Sequence, residues 1–167
     1  VRVSTDLVIL TADELIALDV EGRGALRRSA RETPTALRIL RAFLDGGGPV
    51  PVGSLGADPD TLVHLHDTDL IRVDGDSIDL AYPFSSGRTP FIVRLSDGRE
   101  RYACCATDAL GFAPMIGETV SVSSRCQHSG DLLTLTVSPD GPEAGAAGIM
   151  VWSGEREARS CRSIDSL

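Results

Sequence analysis

From Tyr102 to Pro139 the chain reads YACCATDALGFAPMIGETVSVSSRCQHSGDLLTLTVSP, an apolar helical stretch followed by two alternating, strand-like runs. A helix with an apolar face and half-apolar strands bury those surfaces against each other, which restricts the chain to folds that lay helix on sheet. The same stretch holds three of the four cysteines. Cys105 and Asp108 stand three residues apart, a spacing that puts both on one face of a helix. A thiol beside a carboxylic acid is a soft ligand or nucleophile with a proton source at hand. The rest of the chain reads as a scaffold for that pair.

The 167 residues suffice for one ordinary domain or two small ones with a real core. A net charge of −8 argues against a general nucleic-acid binder, because phosphate affinity comes from clustered positive charge. All 16 basic residues are arginine, so covalent chemistry through a lysine amine is excluded. No run approaches the roughly 18 apolar residues of a membrane helix, and VRVSTDLVIL lacks the layout of a signal peptide. The expectation is a cytoplasmic protein that engages neither membrane nor nucleic acid, with its cysteines as free thiols. Cysteines at 104, 105, 126 and 161 match no zinc-finger or zinc-ribbon spacing. Cys104 and Cys105 diverge on a helix, as do His64 and His66, so neither pair is expected to share a metal.

Taken in order, residues 1–30 are an unassigned arm with a short helix from Thr11 to about Leu18. Thr33-Pro34 caps a stronger helix that ends at Gly46-Gly47-Gly48-Pro49. A short apolar turn follows at Val50 to Leu55. Asp58-Pro59 opens another helix running to about Asp69, and Ile71 to Leu80 alternates around Asp74-Gly75 as a hairpin. This is the element order of a winged helix, but Asp58, Asp60, Asp67 and Asp69 would repel phosphate, so a scaffold role is expected in place of DNA binding. Phe91 to Leu95 reads as a strand, Tyr102 as the start of the central helix, and Pro114 with Gly117 as its end. Strands are expected at Thr119 to Ser124 and Leu132 to Val137, a loop at Pro139 to Gly148, and a last strand at Ile149 to Trp152. The predicted class is α+β: a winged-helix-like helical region over residues 1–82, then over 83–167 a small mixed sheet with a central, site-bearing helix.

Tyr102-Ala-Cys-Cys-Ala-Thr-Asp-Ala-Leu, then Phe112 to Gly117, Val122-Ser-Ser-Arg-Cys126 and Leu135-Thr-Val-Ser-Pro139, resemble the organomercurial (alkylmercury) lyases in order and spacing over roughly residues 99–141. The segment from Thr33 to Leu80 is consistent with that family's N-terminal region. The resemblance implies protonolysis of a carbon–mercury bond, with Cys105 as the first cysteine, Asp108 as the acid and Cys161 as the second cysteine. Cys126 then matches a third cysteine of structural, packing character. Thiolates are the preferred ligands of soft mercury, so Cys105 and Cys161 would hold the metal while Asp108 protonates the departing carbanion. Implied with this are a small organomercurial substrate, Hg(II) as bound product, no organic cofactor, small-molecule thiols as helpers and a mercuric reductase as the next partner.

The sequence departs from the family pattern around Cys161, where Ser160 and Arg162-Ser-Ile-Asp replace a Cys-Cys and aromatic setting, and at Cys104, where a bulky aromatic is expected. Two rival readings stay open on the residues alone. One is a non-catalytic protein holding Hg(II) or Cu(I) through Cys105 with Cys161 or Cys126, or a relative acting on another substrate. The other is a winged-helix metal sensor, which the acidic helices disfavour.

Overall fold

The computed structural model describes residues 29–151 together with residues 14, 17 and 27, and a helix starts where Thr33-Pro34 predicts. Helix α1 spans Pro34–Gly46, with the Thr33 hydroxyl accepting the N–H of Ala36 at 3.3 Å. Ala36, Ile39 and Phe43, at helical spacing, are its buried stripe. The helix ends on Gly47 in the left-handed conformation, whose N–H donates to the Phe43 carbonyl at 2.8 Å. At Gly48, with φ +71°, a Cβ would sit 2.5 Å from the Phe43 ring, so only glycine lets the chain turn back over that side chain.

Strand β1 (Val50–Pro51) and a single 3-10 turn (Val52–Ser54) lead to α2 (Pro59–Asp67), capped by the Asp58 carboxylate on the Thr61 N–H at 3.0 Å. Strands β2 (Ile71–Asp74) and β3 (Ser77–Ala81) form the expected hairpin. Asp60 and Asp67 are exposed, as the acidic reading requires. Asp69 is a correction to that reading. It lies beyond the helix with φ +62°, is buried, and forms an ion pair with Arg27. A buried carboxylate needs a cation, and the left-handed residue at the helix exit turns Asp69 toward one.

Strand β4 (Phe84–Ser85) follows, then β5 (Ile92–Arg94) and β6 (Glu100–Ala103). Helix α3 (Ala106–Ile116) comes next, then β7 (Val120–Arg125), β8 (Leu132–Ser138) and β9 (Gly141–Pro142). Among the described residues these nine strands form one sheet, ordered β1-β3-β4-β6-β5-β7-β8-β9 with β2 on the other side of β3. The expected small mixed sheet is therefore corrected: every pairing is antiparallel, and the sheet runs from the N-terminal segment into the C-terminal one through β3–β4 and β4–β6. The reason is that α3 carries the chain from β6 to β7 across β5, which pairs with both, so the crossover creates no parallel neighbours.

Three local expectations also change. Tyr102 belongs to β6 and not to the central helix: Arg101 and Ala103 point into the core while Glu100 is exposed, the period of a strand. Pro114 lies inside α3, in its last turn, where the fixed φ suits the helix and one backbone bond is forgone; Gly117, left-handed, makes the actual stop. Ile149 to Val151 form no strand, because the 3-10 turn at Ala144–Ala146 continues into a bond from the Ile149 N–H to the Ala146 carbonyl at 3.0 Å. Strand β9, a two-residue return from β8, was not anticipated within the Gly/Pro-rich loop. The expected arm at residues 1–10 and Trp152 lie outside the described residues.

Two contacts fix the helices on the sheet. Phe84 of β4 stacks on Phe43 of α1, with centroids 5.8 Å apart, and meets Phe112 of α3 edge-on at 4.7 Å. All three rings are fully buried. From β6 the buried Arg101 reaches back to the end of α1, where its guanidinium donates to the carbonyls of Leu44 (Nε, 2.8 Å) and Asp45 (2.8 Å). Arg99 adds a bond to the Asp45 carbonyl at 3.0 Å. These carbonyls have no partners within the helix and carry its negative dipole end, so two arginines satisfy both needs. Replacing Phe84 with alanine removes the middle ring of the stack, and a loss of about 3–5 kcal/mol in urea-unfolding free energy is expected.

Candidate active site

Strand β6 runs into Cys104 and Cys105, and α3 begins at Ala106, so the thiol–acid pair sits at a strand-to-helix junction. Cys105 is the N-cap of α3, with extended φ −149° and ψ 179°. Its Sγ accepts the backbone N–H of Asp108 at 3.4 Å and lies 3.0 Å from Asp108 Oδ2, the thiol donating to the carboxyl. The residues anticipated from their spacing are thus in direct contact, but through capping geometry and not through a shared helical face. A cap side chain points along the first turn, and the side chain three residues on points back to it.

Both groups are half-buried, and burial dominates their acidity. A helix N-terminus and backbone donors lower a thiol's pKa. Here desolvation, followed by the negative charge and the hydrogen bond of Asp108, outweighs them and pushes Cys105 up to about 11. Burial likewise raises Asp108 above the usual carboxylate range, opposed by the Cys105 hydrogen bond and by the charges of Arg31 and Arg27. The pair therefore holds its protons tightly in the absence of a ligand. Around it stand Tyr82, whose phenol is pushed up by burial and then by the charge of Asp69, and Arg27, whose guanidinium lies 5.2 Å from the Tyr82 ring centroid.

The other cysteines separate by environment. Cys104 is buried with Leu80 and Tyr82, and its Sγ donates to the Phe84 carbonyl at 3.3 Å. Burial raises its thiol far above the ordinary range, so it packs and does not react. Cys126, expected to pack, is instead half-exposed in the turn after β7. The Ser129 hydroxyl and backbone N–H groups in that turn lower its pKa, and the turn is closed by Gly130 N–H donating to the Cys126 carbonyl at 2.8 Å. The correction follows from position: residue 126 stands one past β7, beyond the layer that α3 covers. Cys161, the expected second thiolate, lies outside the described residues. Among the described residues no group of three or more His, Cys, Asp or Glu side chains could hold a metal ion. His66 accepts the Val73 N–H at its Nδ1 (3.3 Å), which gives it a structural task. Arg27, Arg31 and Tyr82, which surround the pair, carry no motif by which the sequence would flag them. Their signal is tertiary.

Alkylation with iodoacetamide, followed by peptide mass spectrometry, reads these environments directly. Because the native state favours the protonated thiol, Cys105 is expected to reach half-maximal reactivity near pH 11, against about 8.5 for an ordinary cysteine. Cys126 should react at lower pH in the same molecule. Asp108→Asn removes the opposing charge, and the Cys105 profile should move down in pH.

The chain has relatives among known proteins. The family model described as alkylmercury lyase matches residues 84–167. An alkylmercury lyase of Staphylococcus epidermidis is 33% identical over 108 residues, covering 62% of this chain and 50% of that protein. One from Pseudomonas putida is 46% identical over 52 residues, 31% of this chain and 24% of that protein. The chain thus spans about half the length of the Staphylococcus relative. In three dimensions it is similar to the mercury-bound form of MerB2, with a TM-score of 0.55 and 20% identity over 72% of this chain and 65% of that one, a likeness of fold. The matched region begins at β4 and takes in the strand, cap and helix that bring Cys105 onto Asp108. On that match, the chain belongs to the alkylmercury lyase family.

Proposed function

We propose that the protein cleaves carbon–mercury bonds by protonolysis, with Cys105 and Cys161 as the thiolates and Asp108 as the acid. The observation that carries this reading is the 3.0 Å contact between Cys105 Sγ and Asp108 Oδ2 in a half-buried setting. An organomercurial R–Hg–X meets Cys105 as a thiol whose proton is already aimed at a carboxylate oxygen. As sulfur bonds to mercury and X leaves, that proton moves to Asp108, which burial biases toward its protonated form. Cys161 joins as the second thiolate, and electron density pushed onto mercury weakens the bond to carbon. Asp108 then gives its proton to that carbon, R–H departs, and Hg(II) stays on the two sulfurs. Small-molecule thiols and a mercuric reductase would receive the ion. The chemistry needs no organic cofactor.

The N-terminal elements α1, β1, α2 and the β2–β3 hairpin support a winged-helix-like reading of this region. In this proposal residues 1–82 serve as a winged-helix-like platform, and 83–167 carry the chemistry. The exposed Asp60 and Asp67 on α2 set that platform against nucleic acid. No helix among the described residues is long and apolar enough to cross a membrane. We place the protein in the cytoplasm, where reducing conditions keep such thiols free.

Incubation with a phenylmercury salt and excess thiol, with benzene measured in the headspace, tests the reaction. Cys105→Ser should abolish benzene release. Asp108→Asn should lower it by about 100-fold or more while mercury is still retained, since proton delivery and metal capture are separate steps. Stoichiometric mercury uptake by the unaltered protein without any benzene would leave a thiolate binding protein in place of a lyase.

A further inference from the structure

Beyond β7 the sheet continues into β8, whose far edge is only half closed. The register of β7 on β8, with the bond from the Cys126 N–H to the Asp131 carbonyl at 2.8 Å, fixes which backbone groups face which way. Bonded pairs recur at every second residue of an antiparallel ladder, so Leu133, Leu135 and Val137 turn their N–H and C=O groups toward β7. Leu132, Thr134 and Thr136 turn theirs outward. The Glu143 N–H donates to the Thr136 carbonyl at 3.0 Å, and β9 covers Val137 and Ser138. Among the described residues nothing pairs with the outward groups of Leu132 and Thr134.

Strand edges left open to solvent are normally guarded by a charge, a proline or a bulge. From Leu132 to Ser138 the strand reads LLTLTVS and pairs with β7 in unbroken register, so it carries none of these. The Leu132 side chain is 65% exposed.

We propose that two copies of the chain join along this edge, β8 against β8, so that one sheet runs through both molecules. Laid antiparallel with Leu133 opposite Leu133, a second copy brings each Leu132 opposite a Thr134. Each of these pairs exchanges two hydrogen bonds, and every open group at both positions is satisfied in both copies. The charges at the rim fit the same register. Thr136 of the second copy falls beside Gly130 of the first and carries with it Glu143, to which it is bonded. Arg125 sits at that place, its Nη1 donating to the Gly130 carbonyl at 3.0 Å. The two-fold axis repeats the match, so Arg125 of each copy meets Glu143 of the other, both exposed in the single chain. Asp131 stands opposite Leu135 and not opposite another carboxylate. An unrelated strand could satisfy the backbone but would not reproduce this reciprocal match of charges.

Sedimentation equilibrium on the full chain tests the joint. An interface this small gives a weak dimer, half-formed at about 10–100 μM. Thr134→Pro removes an outward N–H and sets a ring in the path of the second strand, while the bonds to β7 come from its neighbours. That variant should stay monomeric with unchanged far-UV circular dichroism and Tm. Arg125→Glu alone and Glu143→Arg alone should each weaken association about tenfold, through two exposed ion pairs. An equal mixture of those two variants should recover it, because only the mixed dimer sets glutamate against arginine at both rims. A chain that stays monomeric across the whole range overturns the proposal. So does undiminished association in Thr134→Pro, or a mixture no tighter than either variant alone.

Discussion

Phe84 is the point through which the two ends of the molecule hold each other. Its ring lies between Phe43 of α1 and Phe112 of α3, and the chain has only four phenylalanines, so three of them are spent on this one stack. Aromatic rings bury large apolar area in a fixed relative geometry, which sets where α3 sits on the sheet. From there the consequences are local: α3 fixes its own first turn, the first turn fixes Cys105, and Cys105 faces Asp108. Arg101 works toward the same end from the other side. It ties the strand that leads into Cys104 and Cys105 to the carbonyl end of α1.

At the site two general tendencies oppose each other, and their sizes decide the outcome. A helix N-terminus favours a thiolate, while desolvation and a neighbouring carboxylate favour a thiol. Cys105 follows the second pair. Before any ligand arrives, the pocket therefore stores protons and does not present a free anion. In the proposed reaction a soft cation would change that balance, a sulfur–mercury bond replacing the proton that burial keeps in place. On that proposal acid and ligand would need no separate preparation, since binding at one would release the proton to the other.

The thiol and acid were legible in the sequence because both lie within one turn of chain. Their spacing suggests a shared helical face, whereas the contact is made by a cap. The sequence suggests a helix from Tyr102, whereas Arg101 and Ala103 alternate as a strand, and the cap appears only where β6 ends. The hairpin at Asp74-Gly75 and the caps at Thr33 and Asp58 were visible for the same local reason. What escaped was tertiary. Nothing in the string says that Arg101 turns inward to α1, that Asp69 is buried against Arg27, or that Arg31 and Tyr82 come to stand beside Asp108. Nor does a Ser-Ser-x-Cys motif reveal that Cys126 falls one residue past the covered part of the sheet.

Cysteine is an uncommon choice for the residue that starts a helix, because serine, threonine, aspartate and asparagine offer harder and better acceptors. At position 105 the chain keeps sulfur there all the same, accepting a long 3.4 Å bond from the Asp108 backbone. The lone pairs that finish the helix are the ones mercury would claim in the proposed reaction. Occupancy of the sulfur and integrity of the first turn are thus in competition, and an alanine at 105 would confound a lost nucleophile with a frayed end. A serine would keep the turn and remove the soft ligand, which makes it the cleaner way to separate what this atom builds from what the proposed reaction asks of it.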